Sequence, residues 1–443
     1  MQTKSRNSKF FIYTLITMSV YQIYILNIGD YTLSVYLILS LFSLMLAVSM
    51  VDVRNVPATG VLIPFIVIII MNVVYIFLSP DVAEGGRSLV FSLPFGAIFY
   101  ISYVYMSKNP NLIENLFTFY ALMSVVQSIL TILFIISPDL EMKFLYSQMA
   151  GIFVNPNTLA HLALTGSGNV LDVYKAGGFF DNGNLAAVYN EISASTAICA
   201  MAMARNRGKK LRSTLLFILF LVHYVSIFAT GSKSGAVMAV SMPFMWMIVR
   251  FFIRNQRRLD KLALASLALF LFCFVVYYFS SEILTNEIID NGERNAARRI
   301  VIWDAALKLF LQNPISGLGY GGWYENFKDY GASFSYMQVY GDMPAHNMLI
   351  IIWAETGLIP ALMILLLMKA VFTYSKKFAQ IGRVELFMAS VISSVFICIF
   401  LHSMIDNFIF YREARLQLPS ALLIAWMASW QSRHIFLKAE KGN

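Results

Sequence analysis

The stretch that decides the fold covers residues 346–374 and reads HNMLIIIWAETGLIPALMILLLMKAVFTY. A membrane-spanning helix needs roughly 17–25 mostly apolar residues, so we predict a span here, with His346 at its mouth. Histidine is the side chain best suited to proton transfer near neutral pH, and ionisable groups at membrane depth are functional candidates. His346 is therefore our first candidate catalytic residue. The simpler alternative is an interfacial histidine that caps a span.

The rest of the chain has the same apolar character. Of 443 residues, 58% are hydrophobic and 13% are charged, whereas about a quarter of a soluble domain is charged. This composition excludes a soluble globule and predicts an all-α, polytopic membrane protein, with residues 1–443 forming one integral membrane domain. We predict twelve transmembrane helices, at residues 10–28, 31–50, 59–79, 88–107, 115–137, 185–204, 213–230, 235–253, 262–281, 346–374, 384–404 and 414–432.

Basic residues are distributed unevenly between the two sets of connecting segments. With both termini in the cytoplasm, the inner segments hold 22 of the 33 Lys and Arg residues, although the outer segments are longer. The positive-inside rule then predicts that 138–184 and 282–345 are large periplasmic loops. The net charge of +9 is thus a topology signal, and we expect no nucleic-acid partner.

Metal and disulfide chemistry has no support in the sequence. Cys199, Cys273 and Cys398 all fall inside predicted spans. The outer segments contain no HExxH motif, Asp-rich loop or Cys/His cluster, so we expect neither a metal nor a cofactor. We also expect no cleavable signal peptide, because the basic amino terminus leads directly into a full span.

The 282–345 loop is predicted to contain short helices and a glycine-rich segment. Apolar residues recur at steps of three, four and three before Asn313-Pro314, which indicates an amphipathic helix that ends there. The stripe consists of Ile300, Trp303, Leu307 and Phe310. The next segment, SGLGYGGW at 316–323, suits a tight path close to a ligand or the bilayer. It lacks the lysine and hydroxyl of a nucleotide-binding loop.

Two places carry cations suited to phosphate. Arg298 and Arg299 stand at the start of the loop helix, where they oppose the helix dipole, and arginine binds phosphate bidentately. Lys233 lies in TGSKSG at 230–235, a turn where backbone donors and a cation converge as a helix begins. A snorkelling lysine on a tight turn is the alternative.

Several ionisable residues lie near the outer ends of their spans, which indicates a site that opens outward. They are Glu191, His223, Lys233, His346, His402 and Arg412. A transporter more often places such groups at the bilayer midplane. The plainer interpretations are interfacial anchors for His402 and Arg412 and a hydrogen-bonded core histidine for His223. Glu355 should face away from His346 on a regular helix, which suggests a structural role.

Four sets of motifs together resemble one family. They are His346-Asn347 with Glu355-Thr356-Gly357, Arg299-x-x-x-Trp303 with Asn313-Pro314-x-x-Gly317-x-Gly319, Gly231-Ser232-Lys233-Ser234-Gly235, and Phe180-Asp181-Asn182-Gly183-Asn184-Leu185-Ala186. Together they resemble the O-antigen ligase and polymerase family, which are integral membrane glycosyltransferases of the bacterial envelope. The resemblance covers roughly residues 178–360, and the first five spans agree only in hydropathy.

This resemblance implies an inverting, metal-independent transfer of a glycan from undecaprenyl diphosphate to a sugar hydroxyl, at the periplasmic face of the bacterial inner membrane. It implies that His346 is the essential histidine and that Arg299 contacts the diphosphate. Lys233 stands where the family often has arginine, which keeps the charge but loses the bidentate fork. The other predicted substrate-binding residues are Arg298, Asn347, Asn184, Tyr320 and Trp323.

Three functions remain open at this point. The leading one is a polymerase that joins lipid-linked repeat units into O-antigen or a related glycan. The second is the ligase that transfers finished glycan to lipid A core, and the third is a lipid-linked oligosaccharide flippase. The partners implied are the undecaprenyl-diphosphate-linked donor, a glycan acceptor (a lipid-linked repeat unit or lipid A core) and a chain-length regulator protein.

Overall fold

The computed structural model describes residues 2–28, 31–50, 59–165, 174–180, 182–254, 302–309, 311–323, 326–327, 346–406 and 408–441. Nearly all of the described secondary structure is helical, and eight of the described helices are long and apolar enough to cross a membrane. The predicted all-α, polytopic class is confirmed. The predicted span at 262–281 lies outside the described residues.

The helices and strands of the described chain follow in order. They are α1 (Gln2–Tyr21), β1 (Tyr24–Ile28), β2 (Tyr31–Ser34), α2 (Val35–Met50), α3 (Thr59–Phe77), α4 (Val82–Lys108), α5 (Ile113–Ile136), α6 (Pro138–Leu145), α7 (Ala150–Phe153), α8 (Pro156–Thr165), α9 (Gly183–Asn206), α10 (Lys210–Ala229), α11 (Lys233–Arg254), α12 (Met348–Thr356), α13 (Leu358–Ala379), α14 (Arg383–Ser403) and α15 (Ala414–Lys441). A further helix covers 302–309.

The beginning of the chain differs from the prediction of two spans at 10–28 and 31–50. Strands β1 and β2 pair antiparallel across the gap between these segments, with Ile28 opposite Tyr31. The sequence between them is Gly29-Asp30, a pair typical of two-residue hairpin turns. The apolar parts of α1 and α2, Lys9–Tyr21 and Val35–Met50, are therefore shorter than the predicted spans and below the length of the eight candidate spans.

The predicted helix at 346–374 is divided at Gly357. This residue has a φ of +79°, α12 ends just before it and α13 begins just after it. A Cβ at Gly357 would collide with the carbonyl oxygen of Ile315. The glycine-rich segment therefore packs directly against the break. Its amides bind carbonyl groups that the end of α12 leaves without helical partners, with Leu318 N donating to Ala354 O (2.7 Å) and Gly319 N to Glu355 O (2.9 Å).

The loop helix is described at 302–309 and follows the predicted apolar stripe only in part: Trp303 packs against the core, while Ile300 and Phe310 lie outside the described residues. Leu307 is exposed, and the side chains that are buried belong to Ile302, Ala305, Ala306 and Leu309. A membrane protein displays apolar residues to lipid as well as to its core, so the apolar stripe of a helix does not identify its packed face.

Helices α9 and α14 form much of the core, since almost all of their middle residues are buried. Helices α3 and α10 instead expose apolar side chains, as lipid-facing helices do. The first residues of α11 meet the last turn of α14 through a hydrogen bond between Ser234 and His402. We call this end of the bundle the site end. The connection between α9 and α10 lies at the opposite end, beside the start of α5.

Candidate functional site

His346 immediately precedes Asn347, the N-cap residue of α12, and has an uncommon backbone conformation. Its φ is +47°, which is strained for a residue with a side chain. The next residue fixes the helix start, because Asn347 Oδ1 accepts hydrogen bonds from the amides of Leu349 (3.1 Å) and Ile350 (3.2 Å). The His346 side chain remains 27% exposed, so its imidazole can meet a ligand from outside the bundle.

Asp406 connects His346 to a second histidine. Its Oδ1 lies 3.7 Å from His346 Nδ1, and its Oδ2 lies 3.7 Å from His402 Nε2. The Asp406 amide donates to the His402 carbonyl (2.9 Å), so the turn that follows α14 holds these two residues together. One carboxylate thus lies between two imidazoles, of which only that of His346 is accessible.

His402 leads further into the bundle. Its ring is fully buried, and its Nε2 lies 2.8 Å from Ser234 Oγ at the start of α11. Its Nδ1 lies 4.0 Å from Oε1 of Glu191, a fully buried residue of α9. Neither carboxylate oxygen of Glu191 has a hydrogen-bond partner in the described part of the chain. The interpretation of His402 as an interfacial anchor is therefore wrong, because the residue belongs to a buried polar cluster.

The turn at 230–235 brings Ser234 to this cluster. Ser232 Oγ accepts the amide of Gly235 (3.1 Å), and the Thr230 carbonyl accepts the amide of Ala176 (3.2 Å). Gly231 has a φ of +66°, where a Cβ would collide with the Tyr174 carbonyl. Lys233 itself is exposed at the first position of α11. Ser234 therefore links the turn to the cluster, and the adjacent Lys233 presents a cation at the surface.

The segment at 176–184 is held against α5 and begins α9. Gln127 accepts the amide of Phe179 and donates to the carbonyl of Gly177, both at 2.7 Å. The Asn182 side chain caps α9 by accepting the amide of Asn184 (2.8 Å). Asn184 is partly exposed at the site end, and its role in substrate binding stays a prediction.

Tyr320 and Trp323 are packed inside the protein. Trp323 is fully buried and stacks on Phe327 with ring centroids 4.8 Å apart. Tyr320 is 3% exposed, and the Arg412 guanidinium lies 6.0 Å from its ring. Their roles in sugar binding stay predictions, and packing already accounts for both rings as placed. Arg412 also forms an ion pair with Glu84 (3.0 Å). This pairing explains the position of Arg412 better than a role as an interfacial anchor does.

Three other predicted residues are not part of the described cluster. His223 is buried, with Nδ1 2.7 Å from Ser128 Oγ and Nε2 3.1 Å from the Ala121 carbonyl, which confirms a hydrogen-bonded core histidine. Arg298 and Arg299 lie outside the described residues. Within the described part of the chain, no group of His, Cys, Asp and Glu residues is arranged to hold a metal ion.

Sequence reasoning missed Asp406 as a site residue. Its spacing of four from His402 was a usable signal, because residues so spaced lie on one face of a helical turn. Sequence reasoning did select Glu191, His346 and His402 by their common depth. The structure brings these three together through Asp406 and Ser234.

The fold and the cluster define a polytopic all-α membrane protein with a buried cluster of carboxylates and imidazoles at one end of its bundle. Residues 215–366 match the protein family described as O-antigen ligase. The match is about a third of the chain and contains both Lys233 and His346. It confirms the predicted resemblance to the O-antigen ligase and polymerase family and supports a membrane protein with a glycosyltransferase-like activity. No curated protein matches the chain significantly.

Proposed function

We propose that this protein transfers a glycan from undecaprenyl diphosphate to a sugar hydroxyl at the periplasmic face of the inner membrane. We propose further that it is the polymerase that joins lipid-linked repeat units. The observation that carries the reaction is the pairing of partly exposed His346 with Asp406 at 3.7 Å, at the site end of a chain whose His346 lies in the family-matched segment.

His346 is the general base of the proposed reaction. Its Nδ1 faces Asp406, so the pairing favours a proton on Nδ1 and leaves Nε2 to accept the proton of the acceptor hydroxyl. The acceptor oxygen then bonds to the anomeric carbon, while the bond from that carbon to the diphosphate breaks and leaves its electron pair on the diphosphate. Asp406 stabilises the imidazolium that forms.

His402 positions Asp406 in this scheme. It contacts the carboxylate oxygen that does not face His346, and it is itself held by Ser234 at 2.8 Å. The Asp406 carboxylate therefore has one oxygen directed to each imidazole. A general base orientated by buried partners loses little entropy when the substrate arrives.

The leaving diphosphate needs positive charge. Lys233 is exposed at the start of α11, where the helix dipole adds a partial positive charge. Arg299 is the second proposed contact, carried over from the family. Lysine provides charge without the bidentate geometry of arginine, so we expect Lys233→Arg to retain activity and Lys233→Gln to lose most of it.

Purified protein in lipid nanodiscs, supplied with a lipid-linked repeat unit, tests the reaction. His346→Asn is the informative variant, because asparagine tolerates a positive φ and removes only the imidazole. We expect no glycan transfer, with membrane insertion and thermal stability near those of the wild type. Lys308→Gln, a change at an exposed lysine paired with Asp304, is the control and should leave transfer intact. Full activity of His346→Asn would remove the proposed role of His346.

The ligase is the second candidate, since the matching family is described as O-antigen ligase. Lysine at position 233, where the family often has arginine, supports the polymerase as a divergent member. Deletion of the gene followed by gel analysis of lipopolysaccharide separates the two. Loss of a polymerase leaves core with a single repeat unit. Loss of a ligase leaves bare core while lipid-linked polymer accumulates, and that result would refute the polymerase assignment.

A further inference from the structure

A second charged cluster lies at the end of the bundle opposite His346. Its centre is Glu114, whose side chain is fully buried in the first turn of α5. Three cations from the connection between α9 and α10 surround the carboxylate, namely Arg207 (3.1 Å), Lys209 (3.1 Å) and Arg212 (3.0 Å). We call these four residues the Glu114 cluster.

The Glu114 cluster carries more positive charge than its carboxylate requires. One cation would neutralise Glu114, so three leave a surplus of two positive charges. Helices α5 and α10 both begin here, and their dipoles add partial positive charge. No side chain caps the start of α10. The electrostatic potential at this surface therefore favours an anion.

The cations also keep part of their surface available. Their side chains are 37%, 43% and 29% exposed for Arg207, Lys209 and Arg212, while Glu114 is fully buried. Arg207 uses only Nη1 for its bonds to Glu114 and to the Asn111 carbonyl. The cluster thus holds its cations around Glu114 while part of each cationic side chain stays exposed.

An apolar stripe begins beside the cluster on α10. Leu211, Leu215 and Ile218 recur at steps of four and three, and they are 76%, 54% and 50% exposed. Helix α10 is long and apolar enough to span a membrane, and the cluster lies where that helix begins. A ligand with an anionic head and an apolar tail matches both features, whereas a free anion would use only the cations.

We propose that the Glu114 cluster and this stripe bind an anionic phospholipid. The phosphate of the lipid accepts from Arg207 and Lys209, and an acyl chain packs along Leu211, Leu215 and Ile218. A basic residue near a membrane surface adds about 1 kcal/mol to attraction of an anionic lipid, so removal of one cation should weaken binding about fivefold. The inference is independent of the proposed glycosyl transfer.

The test uses delipidated full-length protein in a neutral detergent and measures its thermal stability and, by native mass spectrometry, its bound lipid. Phosphatidylglycerol should bind and raise the melting temperature, while phosphatidylcholine and inorganic phosphate should have little effect. Lys209→Gln should bind phosphatidylglycerol about fivefold more weakly, because Arg207 and Arg212 still neutralise Glu114. The control Lys308→Gln removes an exposed lysine elsewhere and should bind as the wild type does.

Glu114→Gln provides a second, opposite test. It raises the surplus to three positive charges, so it should bind phosphatidylglycerol more tightly than the wild type does. If the cations serve only to neutralise Glu114, the substitution would give no gain in affinity for this lipid. Equal responses to phosphatidylglycerol and phosphatidylcholine would overturn the proposal. So would equal affinities for Lys209→Gln and Lys308→Gln, or a full stabilising effect from inorganic phosphate alone, since that would indicate a free-anion site.

Discussion

The carboxylate of Asp406 lies 3.7 Å from the imidazole of His346, which joins the turn after α14 to the residue before Asn347, the N-cap of α12. The two segments are distant in the chain, and the pair exists only because the helices pack as they do. An acid beside an imidazole selects one tautomer and stabilises the cation that forms when the ring takes a proton. The relationship therefore makes Asp406 the residue on which a test of mechanism should focus.

Asp406→Asn should lower kcat about 10²- to 10⁴-fold with little change in KM, because the amide has nearly the same shape but cannot stabilise the imidazolium. Steady-state kinetics with lipid-linked donor measures the effect. Asp304→Asn, at an exposed aspartate paired with Lys308, is the matched control and should keep the wild-type kcat. An unchanged kcat for Asp406→Asn would contradict the assignment.

Gly357→Ala should destabilise the protein by about 1–3 kcal/mol, because position 357 needs a positive φ and the added Cβ would collide with the Ile315 carbonyl. Thermal unfolding in nanodiscs measures the change. Gly86→Ala is the control, since a Cβ there meets nothing within 4 Å and alanine favours the helical conformation of α4. Equal melting temperatures for the two variants would show that the helix break tolerates a side chain.

Stability should depend on pH through Glu141, in the short helix α6. Burial raises the pKa of its carboxyl to about 7, opposed in part by a hydrogen bond from the Gly177 amide. The folded state therefore holds this proton more tightly than the unfolded state, and the resulting stability is lost as pH rises through about 7. Glu141→Gln removes the titration and keeps the acceptor for Gly177.

The melting temperature of the wild type should therefore fall more steeply between about pH 4.5 and pH 7, the ordinary and the raised pKa of this carboxyl, than the melting temperature of Glu141→Gln. Glu385→Gln, at a partly exposed glutamate of the same charge, controls for the general effect of pH. Parallel melting curves for wild type and Glu141→Gln would rule out a contribution from Glu141.

The two ends of the bundle should lie on opposite sides of the membrane. Single cysteines in place of Tyr174, which is exposed at the site end, and Asn206, at the opposite end, test this in a background without the natural cysteines. An impermeant thiol reagent should label position 174 in intact spheroplasts and position 206 only after lysis. Labelling of 206 alone in intact spheroplasts would reverse the proposed topology.

Hydropathy was enough to predict most spans, because a bilayer requires long apolar helices whatever their packing. It did not distinguish the paired strands β1 and β2 from the ends of two spans, since β-branched and aromatic residues are equally apolar in both. Nor did it detect the break at Gly357. Glycine is common inside membrane helices, and only the packing of the 315–319 segment against this position fixes the break.

The candidate site was likewise predicted only in part from the sequence. Glu191, His346 and His402 were selected because each lies at a similar depth along its span, which sequence can measure. Their connection depends on Asp406, which follows a helix as an ordinary polar residue and gains its role from a neighbour on another helix. The buried rings of Tyr320 and Trp323 show the converse, since an aromatic-rich loop segment can serve packing as well as substrate.

Helix α12 has a mechanical consequence for the site. It is nine residues long, about 14 Å, with His346 next to the N-cap at one end and the 315–319 segment hydrogen-bonded to the other. A helix this short transmits an axial shift without bending. An axial displacement of the glycine-rich segment would therefore move the imidazole relative to Asp406 and change how well the carboxylate stabilises its protonated form.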